Sequence, residues 1–365
     1  MTNEIKNVPE LRFPGFSEEW KAHYLNEILE VKAGKDYKHL EKGEYPVYGT
    51  GGYMLSVSNF LYEEEAIGIG RKGTINKPYL LKGPFWTVDT LFYCVPKNEN
   101  EVQFLLNLFK TINWKIYDES TGVPSLSKVT INKINKIVPE FNEQQKIGDF
   151  FSKLDRQIEL EEQKLEKLEE QKKGYMQKIF SQELSFKDGN SKDYPEWEET
   201  TVKEIASITT GNKDTKDAIE NGKYEFYVRS PKIHKINSYS FDGEAVLTVG
   251  DGVGVGKVFH YVNGKFDYHQ RVYKISDFNN YNALLFYYYF STHFLREAQK
   301  YNAKTSVDSV RRDMIINMKI PNIIIEEQGK ISNFLSKLDE LINKHGQKID
   351  DLKIRKQGFL QKMFV

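Results

Sequence analysis

The amino-acid sequence predicts an α+β fold in which two mixed α/β domains are joined by a long antiparallel two-helix coiled coil, with a pseudo-two-fold internal repeat. The first observation is that residues 142–158, NEQQKIGDFFSKLDRQI, recur at an offset of 184 as residues 326–342, EEQGKISNFLSKLDELI. The second is that apolar residues in both segments follow heptad spacing, which is the pattern of helices that pack on each other. A repeat at a fixed offset indicates that a whole unit is duplicated.

The repeat predicts four consecutive segments. These are a first globular domain at 1–139, a first spacer helix at 140–182, a linker with the second globular domain at 183–321, and a second spacer helix at 322–365. The globular segments match more loosely than the helices, for example Trp20 with Trp197 and Gly34 with Gly211 at an offset of 177. Because the helices are alike and the globular parts have diverged, we infer that the globular parts carry differing specificity.

The globular domains contain strand-like and helix-like runs in no regular βαβ alternation, so we expect antiparallel or mixed sheets. In the first domain, AIGIG (66–70) and TVDTLFYCVP (87–96) predict strands, and residues 101–116 predict a helix. In the second domain, AVLTVG (245–250) and QRVYKI (270–275) predict strands, and residues 283–299 predict a helix.

The two spacer helices carry apolar residues in the same heptad register, which predicts a helix–helix seam. The polar linker at 181–195 leads directly from the first helix into the second domain, so helices that pair must be antiparallel. The alternative is two surface helices that pack separately on their own domains. The seam positions are Ile147, Phe151, Leu154, Ile158, Leu165, Leu168, Tyr175 and Ile179 in the first helix, and Ile331, Leu335, Leu338, Ile342, Ile349, Leu352, Phe359 and Met363 in the second. Polar residues interrupt both seams at equivalent positions, which are Glu161 and Lys172 in the first helix and His345 and Lys356 in the second.

Composition excludes several classes of protein. The 365 residues are enough for two or three domains, and 52 basic residues balance 52 acidic ones, so a polycation that coats nucleic acid along its whole length is excluded. The residues MTNEIKNVPELRFPGF contain no apolar run like that of a signal peptide, and the apolar stretch at 283–290 is too short to span a bilayer. We therefore expect a cytoplasmic protein that does not insert into a membrane.

The sequence contains no recognisable catalytic or metal-binding motif. In GDGVGVGK (250–257), Asp251 stands where a P-loop needs its first glycine and Val258 where it needs Ser or Thr, so we expect a glycine-rich turn after a strand. The alternative there is backbone amides that approach a phosphate. Glu162 and Lys164 have the spacing of a nuclease motif but lie on a charged helix, and Cys94 is expected in a core strand. These features predict a chain that is not an enzyme and binds no metal or cofactor.

With its duplicated helices, the chain resembles the specificity (S) subunit of type I restriction–modification enzymes along essentially its whole length. The resemblance rests on PELRFPGF with the following EEW, on YPVYGTGG (45–52), on PSLSK (124–128), and on the EQxKI…FxSKLD start of both helices. The second half departs from the first at 305–313, where TSVDSVRRD replaces the GVPSLSKVT of 122–130.

The resemblance implies a DNA-recognition subunit without catalytic activity. Its two globular parts would be target-recognition domains, each reading one half of a bipartite, asymmetric site in double-stranded DNA. Its helices would form a spacer that docks two methyltransferase subunits and sets the separation of the half-sites. S-adenosylmethionine would belong to the methyltransferase partner, and ATP and magnesium to restriction subunits in the full complex.

Basic and polar residues in the loops are the candidate DNA contacts, because Arg and Gln suit guanine and adenine edges and Lys suits phosphates. The alternative for each residue is an ordinary solvated surface charge. The candidates are Lys35, Tyr37, Lys38, Arg71, Lys72 and Lys77 in the first domain, and Lys213, Arg229, Lys232, Gln270, Arg271, Lys304, Arg311 and Arg312 in the second.

Two other functions are compatible with the residues alone. One is a non-enzymatic coiled-coil adaptor that links two protein-binding heads, which would show no salt-sensitive binding of duplex DNA. The other is a nuclease or methyltransferase with a cryptic site, which would show activity as a purified chain.

Overall fold

The computed structural model describes residues 7–252, 254–301 and 309–365. They form two compact units, of which the first lies within Met1–Lys164 and His345–Val365 and the second within Leu165–Lys344. Each unit therefore combines one globular domain with part of each long helix.

The first half of the chain contributes nine strands and four α-helices to the described residues. The strands are β1 (Lys21–Tyr24), β2 (Leu29–Ala33), β3 (Lys42–Gly49), β4 (Gly52–Val57), β5 (Ala66–Gly70), β6 (Tyr79–Leu81), β7 (Trp86–Thr87), β8 (Leu91–Pro96) and β9 (Asn135–Val138). The helices are α1 (Leu25–Ile28), α2 (Val102–Thr111), α3 (Lys128–Asn132) and α4 (Phe141–Phe180), with a 3₁₀ turn at Trp114–Tyr117.

The second half contributes eight strands and four α-helices, again among the residues described. The strands are β10 (Glu198–Thr201), β11 (Ser207–Thr210), β12 (Tyr224–Tyr227), β13 (His234–Ile236), β14 (Phe241–Val249), β15 (Phe259–Tyr268), β16 (Val272–Ser276) and β17 (Lys319–Asn322). The helices are α5 (Val202–Ile205), α6 (Ala283–Gln299), α7 (Arg312–Ile316) and α8 (Ile325–Lys362), with a 3₁₀ turn at Thr215–Asp217.

The sheets are antiparallel or mixed, as the sequence predicts. The first unit has a four-stranded sheet in the order β2–β8–β5–β6 and a three-stranded sheet in the order β4–β3–β7, in which β3 and β7 are parallel. The second unit has a six-stranded sheet in the order β11–β16–β14–β15–β12–β13, in which β12 and β15 are parallel. Two-stranded ribbons, β1–β9 and β10–β17, complete the described sheets.

One helix in each globular domain closes the core. Helix α2 buries Phe104 and Phe109 in the first core, and α6, which spans the predicted residues, buries Phe286 and Phe290 in the second. The prediction that the first of these helices runs from 101 to 116 is wrong at its C-terminal end. Helix α2 ends at Thr111 because the chain turns there and the indole Nε1 of Trp114 donates a 2.8 Å hydrogen bond to the carbonyl of Phe109.

The run TVDTLFYCVP forms two strand segments and not one continuous strand. Residues 88–90 connect β7 of the three-stranded sheet to β8 of the four-stranded sheet, and their backbone groups pair with β3 and with the loop after β5. The amide of Val88 donates to the carbonyl of Tyr48 at 3.0 Å, and the carbonyl of Thr90 accepts from the amide of Arg71 at 2.8 Å.

The long helices α4 and α8 pack antiparallel within each unit. In the first unit Lys356 pairs with Asp155, and Lys353 lies 2.7 Å from Glu162. In the second unit Lys172 pairs with Asp339. Residue numbers on α8 fall as those on α4 rise, which is the antiparallel order expected from the linker. Along the described ranges, no helix is both long and apolar enough to cross a membrane.

Candidate nucleic-acid interface

The loops that follow β2, β5 and β7 in the first unit are joined by backbone hydrogen bonds. The amide of Lys35 donates to the carbonyl of Thr87 at 2.9 Å, and the amide of Arg71 donates to that of Thr90 at 2.8 Å. Indole Nε1 of Trp86 donates to the carbonyl of Lys35 at 2.8 Å. These bonds hold three short loops together as one surface.

The PSLSK segment lies against the same surface. The amide of Leu126 donates to the carbonyl of Arg71 at 2.9 Å, and the amide of Gly73 donates to the carbonyl of Pro124 at 2.8 Å. Asp118 holds the chain that leads into this segment, since its Oδ1 accepts hydrogen bonds from the amides of Ser125 and Ser120 at 2.9 and 3.0 Å. Those bonds hold the pKa of Asp118 below its ordinary value.

The second unit repeats this arrangement of loops. The amide of Gly250 donates to the carbonyl of Arg271 at 2.7 Å, and the amide of Val310 donates to the carbonyl of Gly250 at 2.7 Å. The amide of Gln270 donates to the carbonyl of Lys213 at 2.8 Å. The hydrogen bond from Leu126 to Arg71 in the first unit therefore corresponds to the one from Val310 to Gly250 in the second.

Two equivalent glycines allow the first loop in each unit to pass close to its neighbour. A Cβ on Gly34 would lie 2.0 Å from the carbonyl oxygen of Val88, and one on Gly211 would lie 1.9 Å from that of Tyr268. No side chain fits at either place without displacing backbone. The sequence match of Gly34 with Gly211 therefore marks the same close contact in both units.

The departure at 305–313 does not disturb this arrangement in its described part, residues 309–313. Isolated β-bridges join Lys72 to Ser125 in the first unit and Asp251 to Ser309 in the second. Helix α7 starts after Arg311 as α3 starts after Ser127, although only Ser127 caps its helix with a side-chain hydrogen bond. The two segments thus occupy equivalent places.

The equivalent loops carry opposite charges. Lys72 of the first unit corresponds to Asp251 of the second, and the glycines that follow them, Gly73 and Gly252, share a left-handed backbone with φ of 86° and 83°. The same backbone turn therefore presents an ammonium group in one unit and a carboxylate in the other. A ligand backbone that lies in the same way against both units would therefore meet an ammonium group in the first unit and a carboxylate in the second.

Asp251 holds two arginines in the second unit. One of its carboxylate oxygens lies 3.2 Å from Nη1 of Arg229, and the other lies 3.5 Å from Nε of Arg271. Behind them His269 is buried, and its Nδ1 accepts the amide of Arg271 at 2.9 Å. Burial, aided by the neighbouring Arg229, lowers the pKa of His269. A neutral imidazole suits the acceptor role of Nδ1 and fixes the turn that carries Arg271.

The described candidate DNA contacts lie in loops or at the ends of secondary-structure elements, and most are exposed. Tyr37 and Lys213 are the half-buried ones, and Tyr37 packs against the small core around Val47 and Trp86. Lys304 lies outside the described residues. The loop surfaces just described include Lys35, Arg71 and Lys72 in the first unit, and Lys213, Arg229, Gln270, Arg271, Arg311 and Arg312 in the second. The exposed residues Lys38, Lys77 and Lys232 lie farther along their loops.

Sequence reasoning missed two features of this surface. It read the loop at 88–90 as part of a strand, although TVDT contains no run of three apolar residues that would favour a buried strand. It also treated Asp251 only as a failed P-loop position. The signal for Asp251 was available, because the residue follows a predicted strand and precedes a glycine, as Lys72 does.

Of the described helix-seam positions, most are buried or half-buried. Leu154, Ile158 and Leu352 form one cluster in the first unit. Ile147 and Phe151 join the core of the first globular domain, and Ile331 and Leu335 join that of the second. Ile349 is buried, whereas Leu165, Leu168, Leu338 and Ile342 are half-buried. Tyr175 is 38% exposed, and the next residue, Met176, is buried in its place.

The polar interruptions of the seam find partners inside their own units. Glu161 accepts from Lys348 and also from His345 at 2.8 Å, and these bonds hold the pKa of Glu161 below its ordinary value. Lys172 pairs with Asp339, and Lys356 pairs with Asp155. Lys356 lies 184 residues after Lys172, and Asp339 lies 184 residues after Asp155. The duplication has therefore kept this lysine–aspartate pair in both units.

The motifs set aside as non-catalytic occupy structural places. Cys94 is fully buried in β8, and burial raises the pKa of its thiol. Glu162 lies 2.7 Å from Lys353 on the facing helix. The glycine-rich run 250–257 begins directly after β14 and turns at Gly252 and Gly256, both with positive φ. Residues 7–252, 254–301 and 309–365 contain no group of three His, Cys, Asp or Glu side chains placed to hold a metal ion.

The chain is similar to known proteins over most of its length. A family model described as "Type I restriction modification DNA specificity domain" matches residues 17–170 and 194–353. The MjaVIII type I restriction enzyme specificity subunit from Methanocaldococcus jannaschii is 26% identical over 282 residues. That alignment covers 67% of this chain and 66% of the relative, so it spans slightly less than two thirds of the relative's length.

Solved structures share the fold. The crystal structure of a type I restriction–modification S subunit from M. genitalium has a TM-score of 0.73 and 16% identity, covering 98% of this chain and 99% of that one. A structure described for the assembly and conformational transition of a type I restriction–modification system has a TM-score of 0.51 and 16% identity, covering 97% and 98%. Because the family model matches both globular domains and much of both long helices, the chain belongs to the type I restriction–modification DNA specificity family, as a specificity subunit.

Proposed function

We propose that this chain is the DNA sequence-recognition subunit of a type I restriction–modification complex, with each unit reading one half of a bipartite, asymmetric site. The chain itself is not an enzyme and binds no cofactor. Methyl transfer from S-adenosylmethionine would belong to methyltransferase subunits, and ATP- and magnesium-dependent cleavage to restriction subunits. We place this activity in the cytoplasm, where these partners would meet DNA.

The observation that carries the proposal is the repeated loop surface with changed side chains. Gly34 and Gly211 make the same close backbone contact, whereas Lys72 of one unit corresponds to Asp251 of the other. An equivalent scaffold would approach the duplex in an equivalent way, since phosphate contacts set orientation and base-edge contacts set sequence. Changed side chains on that scaffold would then read different half-sites, as asymmetry requires.

The long helices would dock two methyltransferase subunits and set the separation of the half-sites. Support comes from the duplicated ion pairs, Lys172 with Asp339 and Lys356 with Asp155, because equivalent surfaces suit two copies of one partner. One structural neighbour is described for the complex assembly of a type I restriction–modification system.

Co-purification followed by methylome mapping tests the proposal. The full-length chain is expressed with the methyltransferase subunit of the same system, and the complex is isolated and its methylated DNA positions are sequenced. We expect two methyltransferase subunits per chain and one split, asymmetric methylated sequence. A chain that binds protein partners but shows no salt-sensitive duplex binding would support an adaptor instead. Methyl transfer by the rigorously purified chain alone would contradict a non-catalytic role.

A further inference from the structure

Each unit contains a groove lined by its parts of α4 and α8. The first-unit groove, about 490 Å³, includes Lys110 from α2, Asp155 and Ile158 from α4, and Lys356 and Leu360 from α8. The second-unit groove, about 740 Å³, includes Lys172 and Met176 from α4, Asp339 and Ile342 from α8, and His293 from α6.

The two grooves are copies of each other in the repeat. At the offset of 184, Asp155 corresponds to Asp339, Ile158 to Ile342, Lys172 to Lys356, and Met176 to Leu360. Both grooves therefore share an apolar wall beside a lysine–aspartate pair. Two equivalent concave surfaces on one chain suit two copies of the same protein partner.

The charge of the grooves differs because α2 and α6 contribute different side chains. In the first unit Lys110 lies 3.6 Å from Asp155, which also pairs with Lys356, so two ammonium groups share one carboxylate. The other two acidic residues of this groove already have cationic partners, Glu159 with Arg156 at 2.8 Å and Glu162 with Lys353 of the same groove at 2.7 Å.

In the second unit the charges of the equivalent lysine–aspartate pair balance. Asp339 receives Lys172 and also the hydroxyl of Tyr288, which donates at 2.6 Å. The position equivalent to Lys110, at the offset of 181 that aligns Phe109 with Phe290, is Ser291, whose hydroxyl donates to the carbonyl of Tyr288 at 3.2 Å. One ammonium group therefore meets one carboxylate, and the remaining charged residues that line this groove are the acidic Glu169 and Glu183 and the basic Lys173.

Lys110 is poorly compensated where it stands. Its side chain is 25% exposed, and burial, followed by the charge of Lys356, lowers its pKa to about 8. The last turn of α2 favours a cation through its free carbonyl groups, but it does not restore the ordinary pKa. A further carboxylate placed between Lys110 and Lys356 would supply the missing charge.

We propose that the two grooves dock two copies of the methyltransferase subunit with unequal chemistry, and that the first-unit groove takes an acidic side chain of the partner between Lys110 and Lys356. This inference rests on the proposed function and names the groups that hold the partner. Apolar side chains of the partner contact Ile158 and Leu360 in the first groove, and Ile342 and Met176 in the second. In the second groove the same acidic side chain finds a pair that is already neutral, so the two copies bind with different affinities.

Titration of the full-length chain with the methyltransferase subunit of the same system tests this, with native mass spectrometry and sedimentation used to count bound copies. For the wild type we expect two binding steps, of which the tighter one weakens more steeply with salt. Lys110→Met keeps the aliphatic stem and removes the charge. It should weaken one step by roughly 10-fold to 100-fold, the range of a charge-assisted hydrogen bond, and leave the other step unchanged.

Two further variants separate charge from folding. Lys110→Arg should keep the salt-sensitive step, and Lys115→Met, which changes an exposed lysine in the nearby 3₁₀ turn, should leave both steps as in the wild type. The melting temperature of free Lys110→Met should not fall, because the variant removes a charge whose burial is unfavourable.

Several outcomes would overturn the proposal. Wild-type affinity for both copies in Lys110→Met would do so, as would equal weakening by Lys110→Arg or a fall in the melting temperature that explains the loss. A free chain that dimerises through Lys110 would identify a second copy of this chain as the occupant. If the wild type binds no methyltransferase subunit at all, the proposed function itself fails, which is a distinguishable result.

Discussion

At the residue scale, two equivalent buried glutamates have unequal surroundings. Glu143 accepts Arg12 Nε and Nη2 at 2.7 Å each, and indole Nε1 of Trp20 at 3.2 Å. Glu327, at the offset of 184, accepts Nε1 of Trp197 at 3.0 Å. Burial raises the pKa of Glu327. The duplicated tryptophan–glutamate contact is therefore supported by a cation in the first unit, whereas in the second unit the indole hydrogen bond only partly offsets the cost of burying the carboxylate.

The same substitution should consequently have opposite effects at the two sites. Glu143→Gln leaves Arg12 without its carboxylate and should destabilise the chain by about 1–3 kcal/mol. Glu327→Gln keeps an acceptor for Trp197 and should be neutral or stabilising at neutral pH. Because the folded state holds the proton on Glu327 more tightly than the unfolded state, wild-type stability falls as pH rises through the raised pKa. Thermal unfolding at pH 4 and pH 8 measures this, and the advantage of Glu327→Gln should be larger at pH 8. Equal losses for the two variants would contradict the assignment.

The loop residues lead to a prediction about specificity. Arg229→Ala should weaken duplex binding of the assembled complex by roughly 10-fold to 100-fold and relax the sequence at the second half-site alone, because an arginine at a base edge contributes to both affinity and discrimination. Lys72→Ala removes a loop cation of the first unit and should leave the second half-site unaltered. Binding titrations at two salt concentrations with methylome sequencing measure both effects. Relaxation of both half-sites by either variant would contradict separate reading.

These residues also show what sequence could and could not supply. Residue type and loop position were enough to nominate Arg229, Arg271 and Lys72. The pairing of two arginines with Asp251 was not predictable, because it depends on three loops, each twenty residues or more from the next in sequence, that meet at the ends of neighbouring strands. The half-burial of Tyr37 likewise depends on its packing against Val47 and Trp86.

At the scale of elements, heptad spacing located the paired helices because a seam repeats every 3.5 residues. It was less accurate at the end of α4, where Met176 is buried and Tyr175 is 38% exposed. There the helix packs on α6 as well as α8, since the ring centroids of Phe180 on α4 and Tyr289 on α6 lie 5.2 Å apart. A second neighbour widens the buried stripe beyond the seam, so a heptad pattern alone misplaces its edge.

The helix pair predicts a position-dependent response to charge. Leu154→Asp places a carboxylate in the cluster with Ile158 and Leu352 and should destabilise the chain by about 2–4 kcal/mol. The control is Leu160→Asp on the same helix, where the leucine is 48% exposed, and it should change stability by less than about 0.5 kcal/mol. Denaturant unfolding of the two variants compares them directly. Similar midpoints would show that α4 and α8 do not bury Leu154 in solution.

At the scale of the whole molecule, duplication is the feature that sequence revealed most fully. The offset of 184 relates the helices, the ion pairs and the grooves, and it can be found in the sequence without any knowledge of contacts. The offsets of 177 and 181 between matching residues of the globular domains differ from the 184 between the helices, which indicates that loop lengths have changed while the strands and helices were retained. What side chains at equivalent places do, as with Lys110 and Ser291, depends on three-dimensional neighbours that the alignment does not contain.

Methylome sequencing after a domain exchange measures whether each globular domain reads its own half-site. Residues 17–139 are replaced by the corresponding domain of a related specificity subunit, and the chain is expressed with its methyltransferase subunit. We expect one half of the methylated sequence to change and the other half, read by residues 194–321, to stay as in the wild type. A change in both halves, or in neither, would contradict this expectation.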